Sequence, residues 1–233
     1  MSASPSSEHS GNQFALLRER RFGPFFLTQF LGALNDNVFK QALVTLATFH
    51  AARLSSLPAD VLVPLAGGVF ILPFFLFSAT AGQIADKFEK TRLIRIVKAA
   101  EIVIMLIGGA GFVLSNLVLL LCALFLMGVH STVFGPVKYA ILPQHLAEHE
   151  LVGGNAWVES GTFLAILIGT IAGGLLGGGA GSELWVAATT VAIAVLLIGG
   201  FGFEVWRRKF KRVWDDGEER IAEAIKKAEA AIV

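Results

Sequence analysis

Apolar residues dominate the chain in long runs that short polar stretches separate. Crossing the hydrocarbon core of a bilayer takes about 20 residues of helix, and the chain divides into six runs of about that length. They cover residues 22–49, 61–84, 93–114, 117–137, 156–178 and 184–205. Because backbone polar groups in lipid must be satisfied within the segment, each run is predicted to be a membrane-spanning α-helix.

The polar stretches at the two ends divide the chain into three parts. Residues 1–21 form a polar N-terminal segment, residues 22–205 hold the six predicted spans, and residues 206–233 form a C-terminal segment. In that last segment, "WRRKFKRVW" alternates bulky rings with bases, and Asp216 and Glu219 have the spacing of a helix-capping box. We therefore predict an amphipathic helix at the cytoplasmic surface of the membrane.

Composition agrees with an all-α, polytopic membrane protein. Hydrophobic residues make up 55% of the chain and charged residues 16%, and the formal net charge is +1. So small a net charge gives no reason to expect a nucleic-acid partner. The single cysteine, Cys122, has no second thiol for a disulfide or a zinc site and is predicted to be inert packing. The sequence predicts neither a metal nor a cofactor.

The sequence disfavours an enzyme. No pairing of a nucleophile with a base, no metal-ligand cluster and no phosphate-binding loop stands out along it. Without an ATP-binding loop, a transporter built on this chain would draw its energy from the substrate gradient or from a coupled ion.

The distribution of lysine and arginine predicts the orientation of the spans. Three arginines precede the first span, four bases lie between spans two and three, and five follow span six, whereas the alternate links hold only Arg53. Because basic residues favour the cytoplasmic side, both termini are predicted to be cytoplasmic.

The first span contains an unusual polar stretch, "LGALNDNVFKQAL", at residues 31–43. Asp36 and Lys40 are one helical turn apart and therefore lie on one stripe of the helix, with Asn35 and Asn37 beside them. In one interpretation the two charges form an internal ion pair that locks the helix to its neighbours. In the other, Lys40 binds a phosphate while Asp36 and the two asparagines bind an ammonium group or hydroxyls. The sequence leaves both open.

The fifth span repeats this pattern near its start. Asn155, Glu159 and Thr162 lie on one helix face, and Lys138 at the end of the fourth span is the expected partner of Glu159. An interfacial salt bridge and a substrate contact explain these residues equally well. His130, alone among apolar residues of the fourth span, is predicted to be hydrogen-bonded core rather than a proton relay.

Three local features predict how the helices pack and end. Gly169, Gly173 and Gly177 put small residues at every fourth position of the fifth span, which predicts close helix packing. Ser115 and Asn116 predict a tight turn between the third and fourth spans. The pair "GP" at 135–136 predicts a bend or break in the fourth span.

The stretch "GQIADKFEKTR", residues 82–92, resembles the signature of the major facilitator superfamily between its second and third spans. The matching residues are Gly82, Asp86, Lys87, Lys90 and Arg92. Glu89 stands where the signature has a second glycine, so a turn with positive φ is not expected there. In the superfamily this segment latches the two halves of the transporter on the cytoplasmic side. The resemblance therefore implies a gating role for these residues. We group Lys138 with them as a further gating candidate.

Several motifs together extend this resemblance over residues 12–205. They are "LGALNDNVFKQAL", "DKFEKTRLIRIVKAAEI", "FGPVKYAILPQHL" and "GGNAWVESGTFLAILIGTIAGG". The set resembles the lysophospholipid transporter family of the superfamily, whose members move lysophospholipids, notably lysophosphatidylethanolamine, to the inner leaflet of the bacterial cytoplasmic membrane for re-acylation. Some members are fused to the acyltransferase. The resemblance implies a lysophospholipid substrate and contact with membrane lipids, and its substrate-binding candidates are Asn35, Asp36, Asn37, Lys40, Asn155 and Glu159.

Such transporters have twelve spans in two six-helix halves, with the transport path between the halves. The six predicted spans correspond to the first half, so transport would require a homodimer or a partner half. The alternative is a non-transporting membrane scaffold, or a truncated or engineered half-transporter, that binds a partner through residues 206–233.

Overall fold

A computed structural model describes residues 13–179 and 184–194. These residues form eight α-helices and two short 3-10 helices, at Gln13–Arg18 and Glu148–Glu150, and contain no β-strand. The α-helices are α1 (Gly23–Phe49), α2 (Ala51–Leu54), α3 (Ala59–Lys87), α4 (Lys90–Val113), α5 (Leu117–Ala140), α6 (Leu142–His145), α7 (Leu151–Gly177) and α8 (Leu184–Ala194). The all-α prediction is confirmed for the described residues.

Four segments are long and apolar enough to cross a membrane: α3, α4, α5 and the segment 148–177 that contains α7. The helix α1 matches them in length, with 27 residues, but the polar residues at its centre lower its mean hydropathy. The sixth predicted span is described only over α8. The amphipathic C-terminal helix lies outside the described residues, so six spans and that helix remain predictions.

The helix α7 packs closely against α1 through a glycine stripe, which consists of Gly169, Gly173 and Gly177. A Cβ at Gly169 would lie 2.7 Å from the backbone oxygen of Leu34, and a Cβ at Gly177 would lie 2.7 Å from that of Ala42. Gly173, between them, faces the backbone of Val38 in the same way. The predicted role of these glycines is confirmed, because any larger side chain would push the two helices apart.

The helices α1, α4 and α5 each carry two buried apolar groups with a polar layer between them. One apolar cluster includes Phe39, Met105 and Leu124, and the other includes Phe22, Ile94 and Val137. The polar layer between the clusters contains buried residues of all three helices: Thr28, Gln29, Asn35, Lys98, Glu101, His130 and Thr132. This alternation places charged groups deep in the bundle, where water is excluded on both sides.

Two predictions about helix ends have different outcomes. The tight turn is confirmed, since Ser115 has a φ of 48° and the Asn116 side chain accepts a hydrogen bond from the Leu119 backbone N–H at 3.1 Å. At Gly135–Pro136 a break is wrong, because α5 continues to Ala140 with Pro136 inside it, and a bend stays a prediction. A proline removes one backbone hydrogen bond, and membrane helices tolerate this because neighbouring groups satisfy the freed backbone.

Candidate functional site

A cavity of about 380 Å³ lies in the polar layer of the bundle. Its charged and hydroxyl-bearing walls include Asp36 and Lys40 on α1, Lys98 on α4, and His130, Ser131 and Lys138 on α5. Its apolar wall is built by Phe70 and Phe74 on α3, Phe134 on α5 and Ile166 on α7. The lining therefore combines charged groups with rings and aliphatic carbon, and Lys40 Nζ and Lys98 Nζ each lie 4.4 Å from the centroid of one of these rings.

Asp36 and Lys40 both line this cavity, but each has a partner on another helix. The Ser131 hydroxyl donates to Asp36 Oδ2 at 3.0 Å, and Asp36 Oδ1 has no hydrogen-bond partner. Lys40 Nζ lies 4.4 Å from the centroid of the Phe70 ring, a cation–π contact. The internal ion pair predicted by their spacing is not formed, and no carboxylate pairs with Lys40 in the described part of the chain. Lys40 therefore offers a positive charge to the cavity.

The two asparagines beside Asp36 have different environments. Asn37 lines the cavity and donates from Nδ2 to the Ala33 carbonyl at 2.7 Å. Asn35 is fully buried, its side-chain amide has no hydrogen-bond partner, and it does not line the cavity. Successive residues of a helix point about 100° apart, so neighbours in sequence face different surroundings. The structure thus brings Asp36, Asn37 and Lys40 together and leaves Asn35 apart.

A buried charge cluster that was not predicted lies next to this site. Glu101 Oε2 accepts a hydrogen bond from Lys98 Nζ at 2.8 Å, and His130 Nε2 lies 3.4 Å from the same oxygen. All three residues are buried: Lys98 is 3% exposed, Glu101 2% and His130 7%. In the sequence, the signal for this cluster is a pair of opposite charges, Lys98 and Glu101, three residues apart inside the third predicted span. The expectation of a hydrogen-bonded core histidine misses this pairing with a carboxylate.

Gly32 lets this charge cluster approach α1. A Cβ at Gly32 would lie against Lys98 Nζ and 3.5 Å from Glu101 Oε1. Gly32 is one helical turn before Asp36 and lines the same cavity. The charged groups of α1 and α4 therefore share one site, which Gly32 keeps compact.

The polar residues of α7 meet α5 at the end of the cavity near α6. Lys138 Nζ lies 3.7 Å from Glu159 Oε1 and 3.5 Å from Thr162 Oγ1, and Thr162 donates to Gln29 Oε1 at 3.1 Å. The predicted Lys138–Glu159 pair is confirmed. Lys138 lines the cavity, whereas Glu159 does not. The Glu159 side chain is 44% exposed.

Asn155, grouped with Glu159 by the sequence, does not take part in this contact. It is exposed, donates to the Leu151 carbonyl at 2.8 Å and does not line the cavity. The structure therefore brings Lys138 to the cavity and leaves Asn155 and Glu159 outside its wall.

The signature segment at residues 82–92 lies at the junction of α3 and α4, outside the cavity. Glu89 has a φ of −64°, and its carboxylate accepts hydrogen bonds from the backbone N–H groups of Thr91 and Arg92 at 2.9 and 2.6 Å. Desolvation raises the pKa of Glu89, but these hydrogen bonds outweigh it and hold the pKa below its usual value. The expectation that no positive φ is needed there is confirmed, because Glu89 caps α4.

The other residues of this segment are close to solvent. Asp86 is exposed, its backbone carbonyl accepts a hydrogen bond from Lys90 Nζ at 3.3 Å, and a Cβ at Gly82 would meet no atom within 4 Å. The gating role that the resemblance implies for Gly82, Asp86, Lys87, Lys90, Arg92 and Lys138 therefore stays a prediction.

Three ammonium groups and one carboxylate line the cavity within the described residues, namely those of Lys40, Lys98, Lys138 and Asp36. Lys98 and Lys138 are each paired with a carboxylate outside the lining, whereas Lys40 has no such partner among the described residues and can accept an anionic group. The rings and aliphatic side chains of the lining suit an apolar group. A bundle of apolar helices around a charged cavity at membrane depth is the architecture of a secondary transporter.

Residues 25–231 match the family described as Major Facilitator Superfamily, and the chain belongs to that superfamily. The chain is similar to the lysophospholipid transporter LplT of Cronobacter sakazakii, with 31% identity over 216 residues, 84% of this chain and 51% of the relative. It is 31% identical over 173 residues to LplT of Salmonella paratyphi B and 32% identical to that of Salmonella heidelberg, each covering 74% of this chain and 39% of the relative.

The resemblance to lysophospholipid transporters of this superfamily is thereby confirmed. The chain spans at most about half the length of these relatives, 51% of the first and 39% of the other two. No solved structure matches the chain.

Proposed function

We propose that this chain supplies one six-helix half of a transporter that moves a lysophospholipid between the leaflets of a bacterial cytoplasmic membrane, with both termini in the cytoplasm. The observation that carries this proposal is the cavity, which is lined by three lysines and Asp36 together with aromatic rings. An amphiphile has the same division between a charged head and an apolar chain. The similarity to lysophospholipid transporters supports this substrate class.

The head group is assigned to the charged stripe of α1. Lys40, which has no carboxylate partner within the described residues, binds the phosphate. Asp36, which lines the cavity and whose buried Oδ1 accepts no hydrogen bond, receives the ammonium group of an ethanolamine head. One helical turn separates the two residues by about 6 Å along the axis, close to the span of a phosphoethanolamine group. The substrate is therefore of the lysophosphatidylethanolamine type, with Asn37 as a supporting polar group, whereas Asn35, Asn155 and Glu159 do not line the cavity.

The acyl chain is assigned to the apolar wall of the cavity. Phe70, Phe74 and Ile166 contribute carbon to the lining of the cavity, and Lys40 Nζ lies over the Phe70 ring. Packing a chain against these residues removes apolar surface from water and adds about 25 cal/mol per Å². The head group would fix the orientation of the lipid, and the chain would supply much of its affinity.

Transport requires a second half to close the cavity. The helix α3 is the least buried of the four apolar segments, with Phe75 81% exposed. A second copy of this chain or a partner half would cover that surface, with the axis of the pair along the membrane normal. An acyltransferase that consumes the delivered lipid is a further proposed partner.

The test is uptake of a labelled lysophosphatidylethanolamine by proteoliposomes that contain the purified chain. Asp36→Asn keeps the shape of the side chain and removes its charge, so it should abolish uptake and leave expression and oligomeric state unchanged. Asp60→Asn is the matched control, because Asp60 is exposed in the first turn of α3. Normal uptake by the Asp36 variant would overturn the proposed head-group site, and misfolding of that variant alone would favour a structural role.

A further inference from the structure

Lys138 lines the end of the cavity near α6, and its ammonium group makes only long contacts with the described residues. Nζ lies 3.7 Å from Glu159 Oε1, 3.5 Å from Thr162 Oγ1 and 4.8 Å from the centroid of the Tyr139 ring. An ammonium group has three N–H donors, and its hydrogen bonds to anionic oxygens are usually about 2.7–2.9 Å long. Lys138 therefore keeps donors for a further anionic oxygen.

Thr162 and Gln29 complete a polar pocket around this ammonium group. The Thr162 hydroxyl has one hydrogen and two acceptors within reach, the Val158 carbonyl at 2.8 Å and Gln29 Oε1 at 3.1 Å. Gln29 is 2% exposed, and its Nε2 donates to the Val158 carbonyl at 3.3 Å. Both side chains line the cavity beside Lys138. An anion at this end of the cavity can therefore bind an ammonium group, a hydroxyl and an amide from three different helices.

This pocket and Lys40 lie at different depths along α1. Gln29 precedes Lys40 by 11 residues, which corresponds to about 16 Å along a helix axis. The helix α1 begins at Gly23, on the cytoplasmic side in the proposed orientation, so Gln29 is nearer to the cytoplasm than Lys40. The two lysines therefore offer a phosphate two positions at different depths of one cavity.

The exposure of the carboxylate partner makes Lys138 a better second position than Lys98. A phosphate that took over Lys98 would leave Glu101, which is 2% exposed, buried and unpaired at high cost. The Glu159 side chain is 44% exposed, and its contact with Lys138 is longer than a hydrogen bond. A phosphate can therefore bind the remaining N–H groups of Lys138 while Glu159 stays beside it.

We propose, building on the proposed function, that Lys138, Thr162 and Gln29 form an inner subsite for the phosphate of the lipid. The phosphate binds Lys40 first and moves to this inner subsite before the lipid is released to the cytoplasmic leaflet. The ammonium group of the head moves with the phosphate, so neither position gains a net charge at membrane depth, where it would be costly. Because the inner subsite lowers the barrier between Lys40 and the cytoplasmic leaflet, it determines the rate of transport rather than the capture of the lipid.

The test is the concentration dependence of initial lysophosphatidylethanolamine uptake by proteoliposomes that contain the full chain. Lys138→Gln should lower the maximal rate by about tenfold or more, because it removes a hydrogen bond to a charged group, and change KM by less than about threefold. Lys40→Gln should instead raise KM, since it removes the phosphate partner at capture. Lys138→Arg, which keeps a permanent positive charge, should restore most of the rate. Arg95→Gln removes an exposed cation of α4 outside the cavity and should match the wild type.

A purely structural salt bridge between α5 and α7 predicts a different result. Glu159→Gln breaks the same ion pair and leaves the phosphate donors in place, so its maximal rate should stay within about threefold of the wild type. Equal losses in Lys138→Gln and Glu159→Gln would overturn the inner subsite in favour of that salt bridge. A normal maximal rate in Lys138→Gln would overturn it as well.

Thr162→Val is the second variant, which serves if Lys138→Gln does not fold. It keeps the shape of the side chain and removes the hydroxyl, so it should lower the maximal rate by about three- to tenfold with little change in KM. An unchanged maximal rate in this variant would contradict the inner subsite. Absence of saturable uptake by the wild type would instead contradict the proposed function on which the subsite rests.

Discussion

Ser131 on α5 donates a hydrogen bond to Asp36 on α1, with 3.0 Å between Ser131 Oγ and Asp36 Oδ2. This contact joins two helices that share few other contacts, and it holds the carboxylate at the cavity wall. Asp36 Oδ1 is buried and accepts no hydrogen bond. The orientation of the proposed head-group site therefore depends on a neutral hydroxyl rather than on the nearby lysine.

Ser131→Ala should weaken lysophospholipid binding because Asp36 would lose the group that fixes its orientation. The cost in stability should be small, about 1 kcal/mol, as hydrogen bonds between membrane helices are individually weak. Lipid titration and thermal unfolding in detergent would measure the two effects separately. Ser160→Ala is the control, since Ser160 is exposed on α7. Equal lipid affinity in the two variants would show that the hydroxyl does not orient Asp36.

Lys98→Met should destabilise the fold strongly, by about 3–5 kcal/mol, because it leaves the Glu101 carboxylate buried without its ammonium partner. The double variant Lys98→Met, Glu101→Leu should recover most of this loss, since an apolar pair of similar volume needs no charge compensation. Thermal stability in detergent would test both. If the double variant were as unstable as the single one, the loss would come from packing at Gly32 rather than from charge.

Gly173→Ala should destabilise the α1–α7 pair by about 1–3 kcal/mol, because the new Cβ would collide with the backbone of Val38. Gly67→Ala on α3 is the matched control, since no atom lies within 4 Å of its Cβ position. That variant should be neutral or slightly stabilised, as alanine favours a helix over glycine by about 1 kcal/mol. Thermal unfolding would compare them, and a stable Gly173 variant would mean that the helices can separate without cost.

Glu89→Ala should loosen the first turn of α4 by about 1 kcal/mol, the usual contribution of a helix cap, while Glu89→Asn should retain most of it. The pKa of Glu89 is lowered in the folded chain, so this contribution is present above the ordinary carboxyl range and is lost as the pH falls through the lowered pKa. Hydrogen exchange at the Thr91 and Arg92 amides would report the loss. Equal protection in the wild type and the alanine variant would exclude the cap.

The sequence by itself determined the helical class, the tight turn between α4 and α5, and the glycine stripe of α7. Each of these follows from local rules: the thickness of the bilayer, the chemistry of turn residues such as Ser115 and Asn116, and the 3.6-residue period. It also located the polar residues of α1, because Asp36 and Lys40 stand out against an apolar run whatever their partners are.

The tertiary structure alone decided the partners of those residues. The pairing of Asp36 with Ser131, the position of Lys40 over Phe70, and the contact between Glu101 and His130 all join different helices. Such contacts depend on how far each helix is rotated about its axis and how deeply it is placed, and a periodic pattern in one helix does not fix either quantity relative to another. For the same reason the sequence could mark Asn35 as polar but could not show that it is turned away from the cavity.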